Sequence, residues 1–243
     1  MRNPLERIAA DDRPVMLVLG LTLATGAVDA VSYLSLDHVF TANMSGNMAL
    51  LGIDAANGRF PLGYLVSLAG FTLGAAAAWR WMRAARGSAL ELLVRGLYAQ
   101  IAIMAALAFV LGVADVSDDS ALRMAVTFAL AAAMGLQTAL ARNVGVEDVN
   151  TTVATMTLHA YAADSRFAGG DARRWRRRVG VVAALFAGAA LAVLAERVMP
   201  WGGMAVAVTI VAAVVLGAHA TLRCREPDRS ATTDRPTTEG SLQ

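Results

Sequence analysis

Six long apolar runs constrain this chain more than any other feature of its sequence. Each approaches the roughly 20 residues that a helix needs to cross the hydrocarbon core of a bilayer. They lie near residues 15–36, 61–82, 92–114, 121–141, 179–198 and 203–222. Charged residues make up only 16% of the chain, against about 25% in soluble domains. The sequence therefore predicts an all-α polytopic membrane protein with about six transmembrane helices.

Two further apolar segments are too short to cross a membrane. They are TANMSGNMALLGI at 41–53 and TTVATMTLHAYAA at 151–163. As helices they reach only about 20 Å, whereas the hydrocarbon core is about 30 Å thick. Both begin with small polar residues, which are favoured at a helix N-terminus. We therefore expect two re-entrant half-helices.

The arginines predict the topology. With six spans and an inside N-terminus, 18 of the 21 arginines lie on or next to the inner side, and only Arg59, Arg123 and Arg197 fall outside. If both short segments crossed fully, the division would be 15 against 6. The positive-inside rule favours the six-span arrangement. We expect a multi-pass protein of the bacterial inner membrane with cytoplasmic N- and C-termini.

The order of the segments repeats, which predicts the domain organisation. A span, a short segment and two spans are followed by the same series, and the polar starts TANMSGN and TTVATMT are offset by about 110 residues. The single membrane domain, 15–222, thus divides into halves 15–114 and 121–222 that form an inverted repeat. Residues 1–14 are expected to be a retained cytoplasmic N-terminus, with Pro14 at the start of the first span. Residues 223–243 are polar and Thr/Pro-rich, which predicts a disordered cytoplasmic tail.

The stretch GAVDAVSYLSLDHVFTANMSGNMALLG at 26–52 carries a family resemblance. It resembles the YoaK family of bacterial membrane proteins, a domain of unknown function (1275), whose members show an Asp in the first span followed by a vF.aNmTGN signature. The matching residues here are Asp29, Phe40, Asn43, Ser45, Gly46 and Asn47.

The second half is also similar to this family, through weaker motifs. A Gly-x-Gln motif and a later TGtL-like segment are matched by Gly135, Gln137, Thr155, Thr157 and Leu158. Met156 stands where the family has Gly, and Ser45 stands where it has Thr. The resemblance covers roughly residues 15–222. It implies an integral inner-membrane protein and supplies no substrate.

Asp29 is the most informative single residue, because it lies inside the first predicted span. A charge at the centre of a membrane helix costs about 2.5–3.5 kcal/mol on insertion scales, so the side chain must face a cavity or a partner. Thr22, Thr25, Asp29 and Ser32 share one helical face. Two hypotheses remain open and are compatible. Asp29 is a proton or cation site in a pathway, or it caps the N-terminus of the nearby half-helix.

The other candidates for binding a solute or lining a pathway are polar residues of the two short segments and the spans beside them. Amides and hydroxyls at a half-helix start either orient a polar solute or satisfy a buried helix end. His159 is either a proton relay or a satisfied buried histidine. With Asp29, the candidates are Ser32, Asn43, Ser45, Asn47, Gln137, Thr155, Thr157 and His159.

The sequence lacks the usual catalytic and nucleotide-binding motifs. It has no P-loop, GxSxG or HExxH, and its three histidines are scattered. We therefore expect no enzyme, no cofactor, no metal site and no nucleic-acid partner. The leading hypothesis is a transporter or channel for a small polar solute or ion, with proton coupling if Asp29 titrates. The alternative is a non-transporting scaffold or partner subunit. Membrane lipid, the solute and a second copy of the chain are the expected partners.

Overall fold

All regular elements in the described part of the chain are helices. The structure, a computed structural model, describes residues 4–114, 120–145 and 175–224. Its helices are α1 (Pro4–Ser35), α2 (Met44–Ala56), α3 (Leu62–Ala84), α4 (Ala89–Val113), α5 (Ser120–Asn143), α6 (Trp175–Glu196) and α7 (Gly202–Cys224). The second predicted short segment, at 151–163, and the predicted disordered tail beyond residue 224 lie outside the described residues.

Six of these seven helices are long and apolar enough to cross a membrane, and they confirm the six predicted spans. The first span begins at Pro14, as predicted, but its helix α1 already begins at Pro4, so Pro14 lies inside the helix and not in its first turn. Proline removes one backbone hydrogen bond from a helix but does not by itself end it. The start of an apolar run is therefore a different position from the start of the helix that contains it.

The short helix α2 forms where the sequence predicts one, but it covers Met44–Ala56 rather than 41–53. Its 13 residues span about 20 Å, which is less than a bilayer core. At its C-terminal end the chain turns through Gly58, whose φ of 73° is in the left-handed region. Arg59 forms an ion pair of 2.7 Å with Asp54 across this turn. The next helix, α3, then starts directly after Pro61.

The helices α1 and α5 lie at the centre of the bundle. In their apolar stretches 67% and 56% of the residues are buried, against at most 33% in the other spans. Together with α4 and α7 they form the main core. Its largest fully buried apolar side chains are Leu21, Leu36, Leu93, Leu97, Met104, Leu130, Met134, Leu140 and Met204.

The most extensive helix contacts join the two halves of the chain. They are made by α3 with α5 and by α1 with α6. Both pairs bring backbones into direct contact at glycine. A Cβ on Gly74 would meet the carbonyl oxygen of Ala132, and one on Gly188 would meet that of Leu23. Such close approach of small residues is typical of helix packing in membranes.

The contacts also give the helix directions. Gly70 and Gly74 of α3 face Phe128 and Ala132 of α5 in the same order, so this pair is parallel. In three other pairs the contacting residues follow opposite orders along the two helices, so these pairs are antiparallel. They are α1 with α7, α4 with α7, and α4 with α5. It follows that α1 runs opposite to both α5 and α3.

The described helices support an inverted repeat. A Cβ on Gly26 of α1 would meet a carbonyl of α6, and a Cβ on Gly135 of α5 would meet one of α3. The two glycines are 109 positions apart, and the two carbonyl residues, Leu185 and Phe71, are 114 apart. The pair α1–α6 is thus equivalent to the pair α5–α3, with reversed direction. In the second half α5, α6 and α7 take the places of α1, α3 and α4.

Candidate functional site at the start of the short helix

The loop between α1 and α2 folds back onto the last turns of α1. Asp37 and His38 have φ of 59° and 60°, so two consecutive non-glycine residues occupy the left-handed region. The ring of Tyr33 stacks on Phe40 at 5.0 Å and meets His38 edge-on at 4.8 Å. The loop is therefore held against α1, and it delivers residues 41–43 to the side of that helix.

Asp29 binds the backbone of the loop just before α2. Its Oδ1 accepts hydrogen bonds from the backbone N–H of Thr41 at 3.1 Å and of Ala42 at 2.8 Å. These N–H groups lie just before the helix N-terminus, where negative charge is stabilised. Asp29 thus binds the loop that precedes α2, whereas the N-cap of α2 is Asn43. The predicted roles of Asp29 as a helix cap and in a pathway stay predictions.

Asn43 and Ser45 form the cap of α2 itself. The Oδ1 of Asn43 accepts hydrogen bonds from the N–H of Gly46 at 3.2 Å and from the hydroxyl of Ser45 at 3.0 Å. Both polar side chains are exposed on the protein surface. A Cβ on Gly46 would lie 2.9 Å from the Asn43 amide nitrogen and 3.1 Å from the Phe40 ring. A side chain at position 46 would therefore crowd the Phe40 ring and the Asn43 cap.

Asn47 ties the loop to α2 and α3, and it is fully buried. Its Oδ1 accepts a hydrogen bond from the Phe40 N–H at 2.9 Å, and its Nδ2 donates to the Phe40 carbonyl at 2.6 Å. The same Nδ2 donates to the Ser67 hydroxyl at 3.2 Å, and Ser67 donates to the Phe40 carbonyl at 2.6 Å. The amide thus satisfies both backbone groups of Phe40, as burial requires.

Ser67 is a site residue that the sequence interpretation missed. It lies in α3 on a buried face that it shares with Gly63 and Gly70. The available signal was its spacing of four and three residues from these glycines within an otherwise apolar run. Ser32, which was predicted, is also fully buried and donates to the carbonyl of Asp29 at 3.1 Å.

A second polar cluster lies one helical turn from Asp29 along α1. Gln100 donates to the Oε1 of Gln137 at 2.6 Å, and Gln137 donates to the hydroxyl of Thr25 at 3.0 Å and to the carbonyl of Leu21 at 3.1 Å. The Gln100–Gln137 hydrogen bond connects α4 with α5. This cluster joins α1, α4 and α5 inside the bundle, and the Oε1 of Gln100 is a buried acceptor without a hydrogen-bond partner.

The chain matches the model of a family described as a protein of unknown function, DUF1275, over residues 17–217. This chain belongs to the DUF1275 family. The matched range includes every residue of the two polar clusters. The family's description assigns no activity to any of them.

One relative of this DUF1275 chain is the UPF0700 transmembrane protein YoaK of Bacillus subtilis (strain 168). The two are 32% identical over 158 residues, which cover 64% of this chain and 68% of the relative. The relative's name agrees with the membrane-spanning helices described above. No solved structure matches the chain.

The candidate residues of this DUF1275 protein fall into three groups. Around the start of α2 the structure brings together Asp29, Ser32, Asn43, Ser45 and Asn47. Gln137 belongs to the separate cluster at Thr25. Thr155, Thr157 and His159 lie outside the described residues. Among the residues that the structure describes, no three His, Cys, Asp or Glu side chains are grouped to hold a metal ion.

Proposed function

We propose that this protein is a transporter or channel for a small polar solute or ion. The observation that carries the proposal is the inverted relation between the pairs α1–α6 and α5–α3. Inverted repeats with interrupted helices are the usual architecture of secondary transporters, whose solute sites lie at the repeat interface. No enzymatic reaction and no cofactor form part of this proposal.

The short helix α2 supports the proposal. It is too short to cross the membrane, and a carboxylate and two amide side chains surround its N-terminal end. Helix ends of this kind, with freed backbone groups and nearby polar side chains, bind solutes and coupling ions in transporters. Asp29 is the proposed ion-coupling residue, because it is the carboxylate in this group.

We expect Asp29→Asn to abolish pH-dependent uptake while leaving folding intact. Asparagine retains an Oδ1 that can accept from Thr41 and Ala42, but it cannot carry a charge. Asp29→Ala removes the acceptor as well, and should cost about 1–3 kcal/mol of stability per unsatisfied N–H. The measurement is flux of a panel of small polar solutes and ions into proteoliposomes at several pH values.

Asp54→Asn is the matched control, because it removes a carboxylate that pairs with Arg59 at the opposite end of α2 from Asp29. It should retain wild-type flux and pH dependence. Unchanged pH-dependent uptake by Asp29→Asn would remove Asp29 from the coupling mechanism.

The alternative function, a non-transporting scaffold or partner subunit, has one observation in its favour. Asp29, Asn47 and Gln137 all hydrogen-bond to other protein groups, as purely structural polar residues would. A wild-type protein that moves none of the solutes in the panel would favour this alternative. Its partners would be other membrane proteins or a second copy of the chain.

We further propose a location in the bacterial inner membrane with both termini in the cytoplasm. The turn between α3 and α4 carries or adjoins Arg80, Arg83, Arg86 and Arg95, whereas the turn before α3 carries Arg59. Positive charge of this kind marks the cytoplasmic side. The 23 residues of α3 separate the two turns by about 35 Å.

Cysteine labelling is expected to report Arg59→Cys from the periplasmic side and Arg83→Cys from the cytoplasmic side. Both substitutions would be made with Cys224→Ser, which removes the one native thiol. The measurement compares a membrane-impermeant maleimide on intact cells and on inverted vesicles. Labelling of both positions from the same side is incompatible with α3 as a span.

A further inference from the structure

A groove opens between α3 and α4, with α5 as its floor. Its volume is about 500 Å³, and its lining is almost wholly apolar. The lining includes Gly74, Ala77, Trp81, Arg95, Gly96 and Ala99. Ala77 and Ala99 are exposed, so the groove faces outward from the bundle, towards the surrounding bilayer.

The groove breaks the internal symmetry of the fold. Helices α6 and α7 are the equivalents of α3 and α4, and they pack against each other, whereas α3 and α4 barely touch. Glycine and alanine predominate among the lining residues of α3 and α4, which leaves the space between the two helices unfilled. A packed bilayer leaves no such space empty, since its lining would lose its dispersion contacts. An apolar molecule of the membrane is therefore the expected occupant.

One end of the groove carries positive charge. Arg95, near the start of α4, lines it together with Trp81 near the end of α3. The Arg95 guanidinium uses one of its five N–H donors on the Arg86 carbonyl, at 3.3 Å. A guanidinium with free donors binds phosphate in a bidentate manner, and tryptophan is enriched at the level of lipid headgroups. Charge complementarity thus selects an anionic lipid over a neutral apolar molecule.

We propose that this groove binds one phospholipid with an anionic headgroup, with an acyl chain between α3 and α4 and its phosphate on Arg95. The site is a lateral lipid site, separate from the polar clusters on α1. The bound lipid separates α3 from α4, whereas the equivalent helices α6 and α7 pack directly against each other. The proposal is independent of whether the protein transports a solute.

The test adds phosphatidylglycerol or phosphatidylcholine with identical chains to the full-length protein in a neutral detergent. Native mass spectrometry counts bound lipid, and thermal unfolding measures the stabilisation. We expect phosphatidylglycerol to bind more tightly, and Arg95→Gln to weaken it about tenfold, as loss of charge-assisted hydrogen bonds implies. Ala99→Leu, which fills the groove, should abolish binding of both lipids.

Two control variants make the same changes in charge and in volume at positions outside the groove. Arg83→Gln and Ala105→Leu alter exposed residues that do not line it, and should bind phosphatidylglycerol as the wild type does. Equal affinity of wild type and Arg95→Gln for phosphatidylglycerol would overturn the headgroup assignment. Retained lipid binding by Ala99→Leu would overturn the acyl-chain assignment. A wild-type dimer that Ala99→Leu converts into a monomer would also overturn it, because a second copy of the chain would then fill the groove.

Discussion

Replacing Gly135 or Gly188 by alanine is expected to destabilise the protein by about 2–3 kcal/mol each, a large effect for a single methyl group. The Cβ of Gly135→Ala would fall on the carbonyl oxygen of Phe71, and that of Gly188→Ala on the carbonyl oxygen of Leu23. A backbone atom cannot move aside as a flexible side chain can, so the two helices of each pair must separate. The measurement is the temperature at which the detergent-solubilised protein loses its monodisperse elution peak.

Gly52→Ala provides the matched control for both substitutions. Gly52 also lies in a helix, but a Cβ there would have no atom within 4 Å. This change should leave stability the same or raise it by up to about 1 kcal/mol, because alanine favours helix more than glycine does. Equal melting temperatures for all three variants would show that α1–α6 and α3–α5 are not in backbone contact.

Asn47→Ala is expected to lower stability by about 2–4 kcal/mol and to detach the loop before α2. The substitution leaves the partly buried N–H of Phe40 without an acceptor and removes one of the two donors to its carbonyl oxygen. Each buried polar group left unsatisfied costs about 1–3 kcal/mol. The melting temperature reports the first effect, and faster amide hydrogen exchange at residues 40–47 reports the second.

Ser45→Ala controls for the loss of a polar side chain at the same helix end. Ser45 is exposed, and its hydroxyl only donates to Asn43, so this change should cost little. Asn47→Asp should give an intermediate result, since aspartate keeps the acceptor for Phe40 but loses both donors. A wild-type melting temperature for Asn47→Ala would mean that the loop is held by other contacts.

Local features of the sequence predicted the helices well, because each depends on composition within about 20 residues. Six spans and one short helix follow from the apolar runs and their lengths. The start of α2 was misplaced by three residues, because Asn43 rather than Thr41 supplies the side-chain cap. The interior position of Pro14 was missed because the charged residues before it carry no apolar signal.

Pairings between distant residues could not be predicted in the same way. Spans rich in glycine and alanine predict close packing but do not specify the partner, so the pairing of α1 with α6 required coordinates. The sequence limited Asp29 to two roles without deciding between them, since its hydrogen-bond partners are backbone groups at Thr41 and Ala42. The contact of Gln137 with Thr25 spans 112 residues and leaves no local pattern.

The crossed pairing of helices has a consequence for biogenesis and for motion. Both α1 and α3 find their main partners in the second half of the chain, so the first half leaves the ribosome with its closest packing surfaces uncovered. Stable assembly must wait until α5 and α6 have been inserted. For the same reason the two sequence halves cannot rock against each other as rigid bodies. If parts of the bundle tilt, we expect the helix pairs α1–α6 and α3–α5 each to move as one unit.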